Sequence, residues 1–294
     1  MSMSRHEAST GEQSRMLSRE NKVTITSGLS PSYLQANLII LPSRYASDFR
    51  RFCQRNPVPS PLLAESSQRG SPFGWKSYIQ GIPDSAVAAN CDIRTDVPRY
   101  VVYRDGVPIH ESQDLLEEWT DDHIAFLLGC SMSFESALTR AGLEPRHTTL
   151  DINNPMYITN IPTNPAGVFT GGTYIVSMRP YRRSELDRVR KTTRPYVLTH
   201  GEPIAWGWDG MARLGITDID QPNWGDPPRA RWGGKFSEAQ GLTGEDDDIP
   251  VFWGCGVTPQ QAVITAKVPG IILAHAPGHM LVLDVKEDDV LEKD

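Results

Sequence analysis

Apolar residues come in short runs along this chain, and the spacing within each run predicts its element. Two runs share one context. Phe126-Leu127-Leu128 meets Gly129-Cys130-Ser131, and Val251-Phe252-Trp253 meets Gly254-Cys255-Gly256. Each reads as a buried strand, with a short helix equally compatible with the periodicity, that breaks at once into small or polar residues. Beyond Cys130, Glu135-Ser-Ala-Leu138 reads as a helix start. Beyond Cys255, Thr258 caps and Pro259 takes the first helical position. Both thiols are therefore expected at strand ends facing helix N-termini, where negative charge is favoured. The plainer account is that cysteine is a small, well-buried hydrophobe.

The remaining pattern predicts ordered chain from about Val23. Ser30 or Ser32 caps a helix over Tyr33 to Ile40, and a second helix runs from Arg44 to Arg55 with Tyr45, Phe49, Phe52 and Cys53 on one face. Residues 64–90, rich in Ser, Gly and Pro, read as a long surface loop. Tyr100 to Arg104 is a strand turned back by Asp105-Gly106, and a helix follows over Asp114 to Trp119. Short strands fill 144–176, with Thr173 to Met178 the clearest. A helix spans Ser184 to Arg194, and Tyr196 to Gly201 makes a strand and turn. The stretch from Trp206 to Asp248 exceeds an ordinary loop and reads as a lid or surface insertion, with a helical piece at Met211 to Leu214. Strands at Ile271 to His275 and Met280 to Val285 flank a turn at Pro277-Gly278. Strands and helices alternate without a strict βαβ rhythm, which predicts a two-lobed α/β sandwich with mixed sheets. No internal repeat is visible beyond the paired Gly-Cys context. Residues 1–22 are expected as a disordered tail, 23–286 as one two-lobed unit and 287–294 as a charged tail.

Composition narrows the function. The 294 residues are 39% hydrophobic and 22% charged, as in globular proteins. A net charge of -7 without a long basic stretch argues against nucleic acid as a partner. No apolar run approaches the ~20 residues of a membrane span. Residues 1–22 lack the apolar segment of a signal peptide, and Glu7, Glu12 and Glu20 argue against a transit peptide. A cytoplasmic location is expected, with mitochondria as the alternative. Cys53, Cys91, Cys130 and Cys255 show no Cys-x-x-Cys spacing and read as reduced thiols.

His275-Ala-Pro-Gly-His279 is a turn rather than a zinc-binding helix face, because Pro and Gly exclude a regular helix there. No metal site is expected. His200, between a strand and Gly201, is a candidate acid or base. Arg179, held by Pro180 at a strand end, is placed to clamp a carboxylate. Asn154 and Asn160 flank Pro155-Met-Tyr-Ile-Thr, where asparagine usually serves a turn. No glycine-rich nucleotide loop, Schiff-base lysine or Gly-x-Ser-x-Gly elbow is present, so the expected chemistry is acid–base or thiol work without a cofactor.

Taken together, several segments resemble a family of hydro-lyases from bacteria and fungi. They are Ser30-Pro-Ser-Tyr-Leu-Gln-Ala-Asn-Leu, Phe52-Cys-Gln-Arg-Asn-Pro, Asp92-Ile-Arg-Thr-Asp-Val-Pro-Arg-Tyr, Gly129-Cys-Ser-Met-Ser-Phe-Glu135, Asn154-Pro-Met-Tyr-Ile-Thr-Asn160, Phe252-Trp-Gly-Cys-Gly-Val-Thr-Pro-Gln and His275-Ala-Pro-Gly-His-Met. A related segment forms part of mitochondrial D-glutamate cyclase. The likeness runs from about Gly28 to Asp284 and departs from the shorter family pattern at about 227–248, which looks inserted. It implies a two-lobed α/β fold and loss of water from a small amino or hydroxy acid, as when D-glutamate closes to 5-oxo-D-proline. On this reading His275, His279, Cys130, Cys255, Glu135 and His200 are the catalytic candidates. Arg179, Asn160, Asn154 and Thr258 are the substrate-binding ones. The alternatives are a racemase or epimerase with a thiol on each face of its substrate, and a non-catalytic small-acid binding protein. Self-association is left open.

Overall fold

The computed structural model describes residues 8–26, 28–244 and 247–292. The larger sheet runs in the order β3 (Trp75–Ser77), β2 (Leu62–Ser66), β6 (His123–Gly129), β1 (Tyr33–Pro42), β11 (Ile271–His275), β4 (Tyr100–Arg104) and β5 (Val107–Ser112). A further strand, β12 (Leu281–Lys286), also pairs with β1. The smaller sheet runs β7 (Met156–Pro162), β8 (Thr173–Arg182), β10 (Asp248–Gly254), β9 (Ala205–Trp206). Among the described residues seven α-helices accompany them: α1 (Gly11–Arg19), α2 (Ala46–Arg55), α3 (Glu135–Arg140), α4 (Arg146–Leu150), α5 (Leu186–Thr193), α6 (Gly207–Arg213) and α7 (Val257–Thr265). The expected α/β content is present, but the ladders described in both sheets are antiparallel rather than mixed. Among the described residues no helix is long and apolar enough to cross a membrane.

The strand β1 organises the larger lobe. Leu34, Ala36, Leu38 and Ile40 enter one core, and Ile39 and Leu41 enter a second core on the opposite face, with Phe49 and Phe52 of α2. Fully burying each such side chain stabilises the fold by about 1.5–3 kcal/mol. The helix predicted over Tyr33 to Ile40 is therefore a strand. With both faces buried, the apolar run is nearly continuous and its period of two is hidden. In the smaller sheet, Tyr157, Val176, Met178 and Phe252 pack with Leu214, Ile216, Ile219, Phe236 and Ala239. The 206–248 stretch thus supplies core as well as surface.

Three other expectations change. The supposed tail 1–22 contains α1 over Gly11–Arg19, and its residues 1–7 lie outside the described residues. Arg15 of this helix is buried and donates to Val282 O and Ala89 O at 2.8 Å each and to Asp284 Oδ2 at 2.8 Å. An anchor made by a buried guanidinium leaves no trace in apolar periodicity. The charged tail begins with a 3-10 turn over Glu287–Val290 in which Glu287 and Val290 are buried; Lys293 and Asp294 lie outside the described residues. Tyr196 to Gly201 holds a 3-10 turn, Val197–Thr199, instead of a strand.

Candidate active site

Each sheet delivers one Gly-Cys shoulder. Strand β6 ends at Gly129 and passes through Cys130 into a 3-10 turn, Ser131–Phe134, and then α3. Strand β10 ends at Gly254 and passes through Cys255 into α7. Glycine is required at the first shoulder by a close approach: a Cβ on Gly129 would lie 1.8 Å from Leu198 O. Strand β11 ends at His275 and turns through Pro277-Gly278, and β7 begins just after Asn154-Pro155. These points of both sheets meet around one cavity of about 30 Å³, lined by Asn37, Cys130, Ser131, Asn154, Cys255 and His275 among others. A larger groove of about 250 Å³ beside Cys53, Tyr78 and Val197 is mainly apolar and lies away from these groups.

The groups facing the cavity are neutral. Burial pushes the Cys130 thiol up to about 12 and the Cys255 thiol up to about 11, against the downward pull of the N–H groups of Met132 and Val257. Both are thiols, not thiolates, near neutral pH. Burial holds His275 down at about 4, so its imidazole is neutral. Its Nδ1 has two donors nearby, Leu38 N–H at 3.1 Å and Gln260 Nε2 at 3.4 Å, against one acceptor, Leu38 O at 3.2 Å. The tautomer with its proton on Nε2 lets Nδ1 accept from Leu38 N–H, and Nε2 has no partner among the described residues. Gln260 Nε2 also holds the His275 carbonyl at 2.8 Å. Asn37 donates to Gly129 O at 2.8 Å, and the buried Asn154 side chain has no hydrogen-bond partner among the described residues.

The charges stand one layer behind. Arg179 is fully buried and does not line the cavity. Its Nε donates to Glu135 Oε1 at 2.9 Å, Nη2 also pairs with Glu135, Nη1 reaches Ser177 Oγ at 3.2 Å and Nη2 reaches Ser131 Oγ at 3.1 Å. Phe134 and Trp253 lie 5.2 and 5.3 Å from the guanidinium carbon. His147 Nε2 sits 3.1 Å from Glu135 Oε1. Burial alone would raise the Glu135 carboxyl. The charges and hydrogen bonds of His147 and Arg179 outweigh it and pull the group down to about 2. Arg179, expected as an open carboxylate clamp, is thus already engaged by a carboxylate of its own chain.

The structure gathers Cys130, Cys255, His275 and Asn154 at the cavity and sets Glu135 and Arg179 behind it. Thr258 is buried beside it and accepts from Ile175 N–H at 2.9 Å. His279 sits on the same turn, but its Nδ1 is 2.8 Å from Pro277 O and its neighbours include Arg99 and Glu111. His200 is buried against Val58 O at 2.7 Å, neutral because burial lowers it to about 4. Asn160 is exposed along β7, beside Gly215. Asn37, Ser131 and His147 were missed. An asparagine within the apolar run Leu34 to Leu41 was the available signal for the first; nothing in the spacing of the chain marks the other two. Among the described residues no three His, Cys, Asp or Glu are grouped to hold a metal ion.

Known proteins share this framework. The D-glutamate cyclase family pattern matches residues 124–284. A protein of Schizosaccharomyces pombe named "Putative hydro-lyase" is 42% identical over 274 residues, covering 93% of this chain and 83% of its own. One of the same description from Bordetella pertussis is 44% identical over 279 residues, covering 95% and 90%. Another, from Bradyrhizobium diazoefficiens, is 43% identical over 274 residues, covering 93% and 90%. The crystal structure of a nitrogen repressor-like protein from Methanococcus jannaschii aligns over 97% of this chain and 98% of its own at 10% identity, with a TM-score of 0.37 that establishes no common fold.

Proposed function

This chain belongs to the hydro-lyase family that carries the D-glutamate cyclase domain, and from that membership we propose that it is a carbon–oxygen lyase removing water from a small amino or hydroxy acid, with D-glutamate the first to test. One observation carries the reading: two thiols, a neutral histidine and an uncommitted asparagine, drawn from both sheets, line one small cavity. Such a wall offers hydrogen-bond donors to an oxygen that becomes more negative as its carbon–oxygen bond is strained. His275 gives its Nε2 proton as a hydrogen bond to that oxygen. For cyclisation, the substrate nitrogen forms the new C–N bond, a carboxyl oxygen departs, and two protons shed by the nitrogen leave with it as water.

Incubating the protein with a panel of small amino and hydroxy acids, D-glutamate included, and weighing the products tests the proposal. A loss of 18 Da from one acid is expected from the mass of water, and His275→Ala should slow it by roughly 10²-fold, the scale of losing one preorganised donor. Unchanged masses across the panel would sink the lyase reading. A second reading is favoured by the matching placement of Cys130 and Cys255: proton exchange at a substrate carbon between two thiols. Their protonated state weighs against it, since one must be a thiolate to act as base. Uptake of solvent deuterium at the substrate α-carbon without water loss would select this second reading.

A further inference from the structure

The two lobes repeat one frame. Strand β1 has ten residues, is followed by a 3-10 turn of three residues (Ser43–Tyr45) and then by α2. Strand β8 has ten residues, is followed by a 3-10 turn of three residues (Arg183–Glu185) and then by α5. Each pairs with a strand of seven residues that ends in Gly-Cys. The registers coincide: Ala36 pairs with Gly129 and Pro42 with His123, while Val176 pairs with Gly254 and Arg182 with Asp248. A side-chain bond repeats as well. Gln35 N–H donates to Ser133 Oγ at 3.0 Å, and Ile175 N–H, at the same place in its strand, donates to Thr258 Oγ1 at 2.9 Å. The glycines reach across: Gly129 of one frame abuts Leu198 O of the other, and Gly254 abuts Val58 O of the first.

Where equivalent positions differ, the two shoulders differ. Ser131 follows one cysteine and Gly256 the other. Glu135 corresponds to Gln260, Arg179 to Ile39, and Ser177 to Asn37. The charged cluster is therefore confined to one shoulder. There the Ser131 oxygen accepts from Arg179 Nη2 at 3.1 Å, and its own proton has no acceptor among the described residues. A hydroxyl polarised by a buried cation, with its proton uncommitted and facing a cavity, is a donor suited to an anion. At the other shoulder Gly256 has no side chain, and the Asn37 amide, which donates to Gly129 O, occupies the space: a Cβ there would lie 1.9 Å from Asn37 Nδ2. Asn37 and His275 make that shoulder neutral.

We infer that Ser131 is the residue that contacts one carboxylate of the substrate, positioned by Arg179 from behind, while the rest of the substrate meets Asn37 and His275. This orientation rests on reading the cavity as the substrate site. The ligand class is a small amino or hydroxy acid, D-glutamate included, with one carboxylate placed at Ser131.

Alkylation of the cavity thiols tests it without any substrate. Iodoacetate and iodoacetamide are nearly the same size, and each forms an S–C bond as iodide leaves, but only the first carries a carboxylate. The native protein is treated with each, and modification of Cys130 and Cys255 is followed by peptide mass. The rate ratio of iodoacetate to iodoacetamide should fall about tenfold in Ser131→Ala, the loss expected for one hydrogen bond to a charged group. Ser131→Gly, which copies the residue the other frame uses, should behave alike, and Ser131→Thr should restore the ratio. An unchanged ratio in both deletions, or labelling of the thiols by iodoacetamide at alkaline pH with none by iodoacetate, overturns the assignment. Failure to find water loss from any acid would count against the lyase reading while leaving this ratio to stand or fall separately.

Discussion

The wall of the cavity and the layer directly behind it obey opposite rules. On the wall, Cys130, Cys255, Asn154 and His275 are uncharged, and several keep hydrogen-bond capacity that no group among the described residues uses. Behind it, Arg179, Glu135 and His147 form a compact buried cluster in which each member touches another. A lone buried charge would carry a desolvation cost of several kcal/mol. Pairing the charges one layer back removes most of that cost and leaves Ser131 as the point where the guanidinium reaches the wall. The contrast teaches that the cluster ties α3 to β8 through Glu135 and Arg179 and reaches the wall at the Ser131 hydroxyl.

The largest effect expected from breaking this arrangement is on folding. Arg179→Leu leaves the Glu135 carboxylate buried with only His147 beside it and should destabilise the protein by about 3–5 kcal/mol, the usual result of unpairing a buried charge. Adding Glu135→Leu should recover much of that loss, because both charges are then gone. Denaturant unfolding of the two variants measures the difference. A double variant no more stable than the single one would show that the pair is not the relevant unit.

Acid should attack the same region from the wall side. His275 and His200 have folded values of about 4 against an ordinary 6.5, each because burial disfavours the charged ring. For a depressed histidine the stabilising difference is present above 6.5 and is lost as pH falls toward 4. Each contributes up to about 3 kcal/mol by linkage. Glu135, at about 2 against an ordinary 4.5, extends the loss below pH 4.5. Glu287 opposes the trend: burial raises it to about 7, so its share is present below its ordinary 4.5 and lost as pH rises through 7. Two histidines against one partly buried carboxyl give a net fall in unfolding free energy from pH 7 to pH 4, measurable by denaturant titration at several pH values. His200→Gln should shallow the slope. A pH-independent stability over this window would contradict the neutral histidines described here.

Much of this was readable in the chain. The paired Gly-Cys shoulders, the hairpin turned by Asp105-Gly106, strand Ile271–His275 and the α2 helix all follow from local spacing and turn chemistry, which act over a few residues. Three kinds of feature were not. Strand β1 is buried on both faces, so its alternation is masked and the helical reading prevailed. The α1 helix is held by Arg15 reaching Asp284, a contact between the two ends of the chain that no local window contains. The repeat of the two frames survives in element lengths and register while the residues diverge, as Arg179 opposite Ile39 shows. At the site, His275 and the cysteines were visible because they stand at strand ends. Ser131 and His147 matter only through Arg179 and Glu135, and a partner of a partner leaves no sequence signature.

The smallest effect, and the sharpest test of how the two shoulders were made different, concerns Gly256. Its backbone has φ -66 and ψ -2, so glycine is not demanded by conformation. Space demands it: an added Cβ would sit 1.9 Å from Asn37 Nδ2 and 2.4 Å from Asn37 Cγ. The amide cannot swing away freely, because it donates to Gly129 O at 2.8 Å and lies inside the central strand. Gly256→Ala should therefore cost about 1–3 kcal/mol, the range for overpacking a filled site. Asn37→Ser shortens the obstructing side chain to the residue found at the equivalent place, Ser177, and should absorb the added methyl. The double variant should then be more stable than Gly256→Ala alone, with a coupling of about 1 kcal/mol or more in a double-mutant cycle. Additive effects of the two changes would mean that Asn37 and Gly256 do not share one space, and with that the account of a neutral shoulder would lose its structural basis.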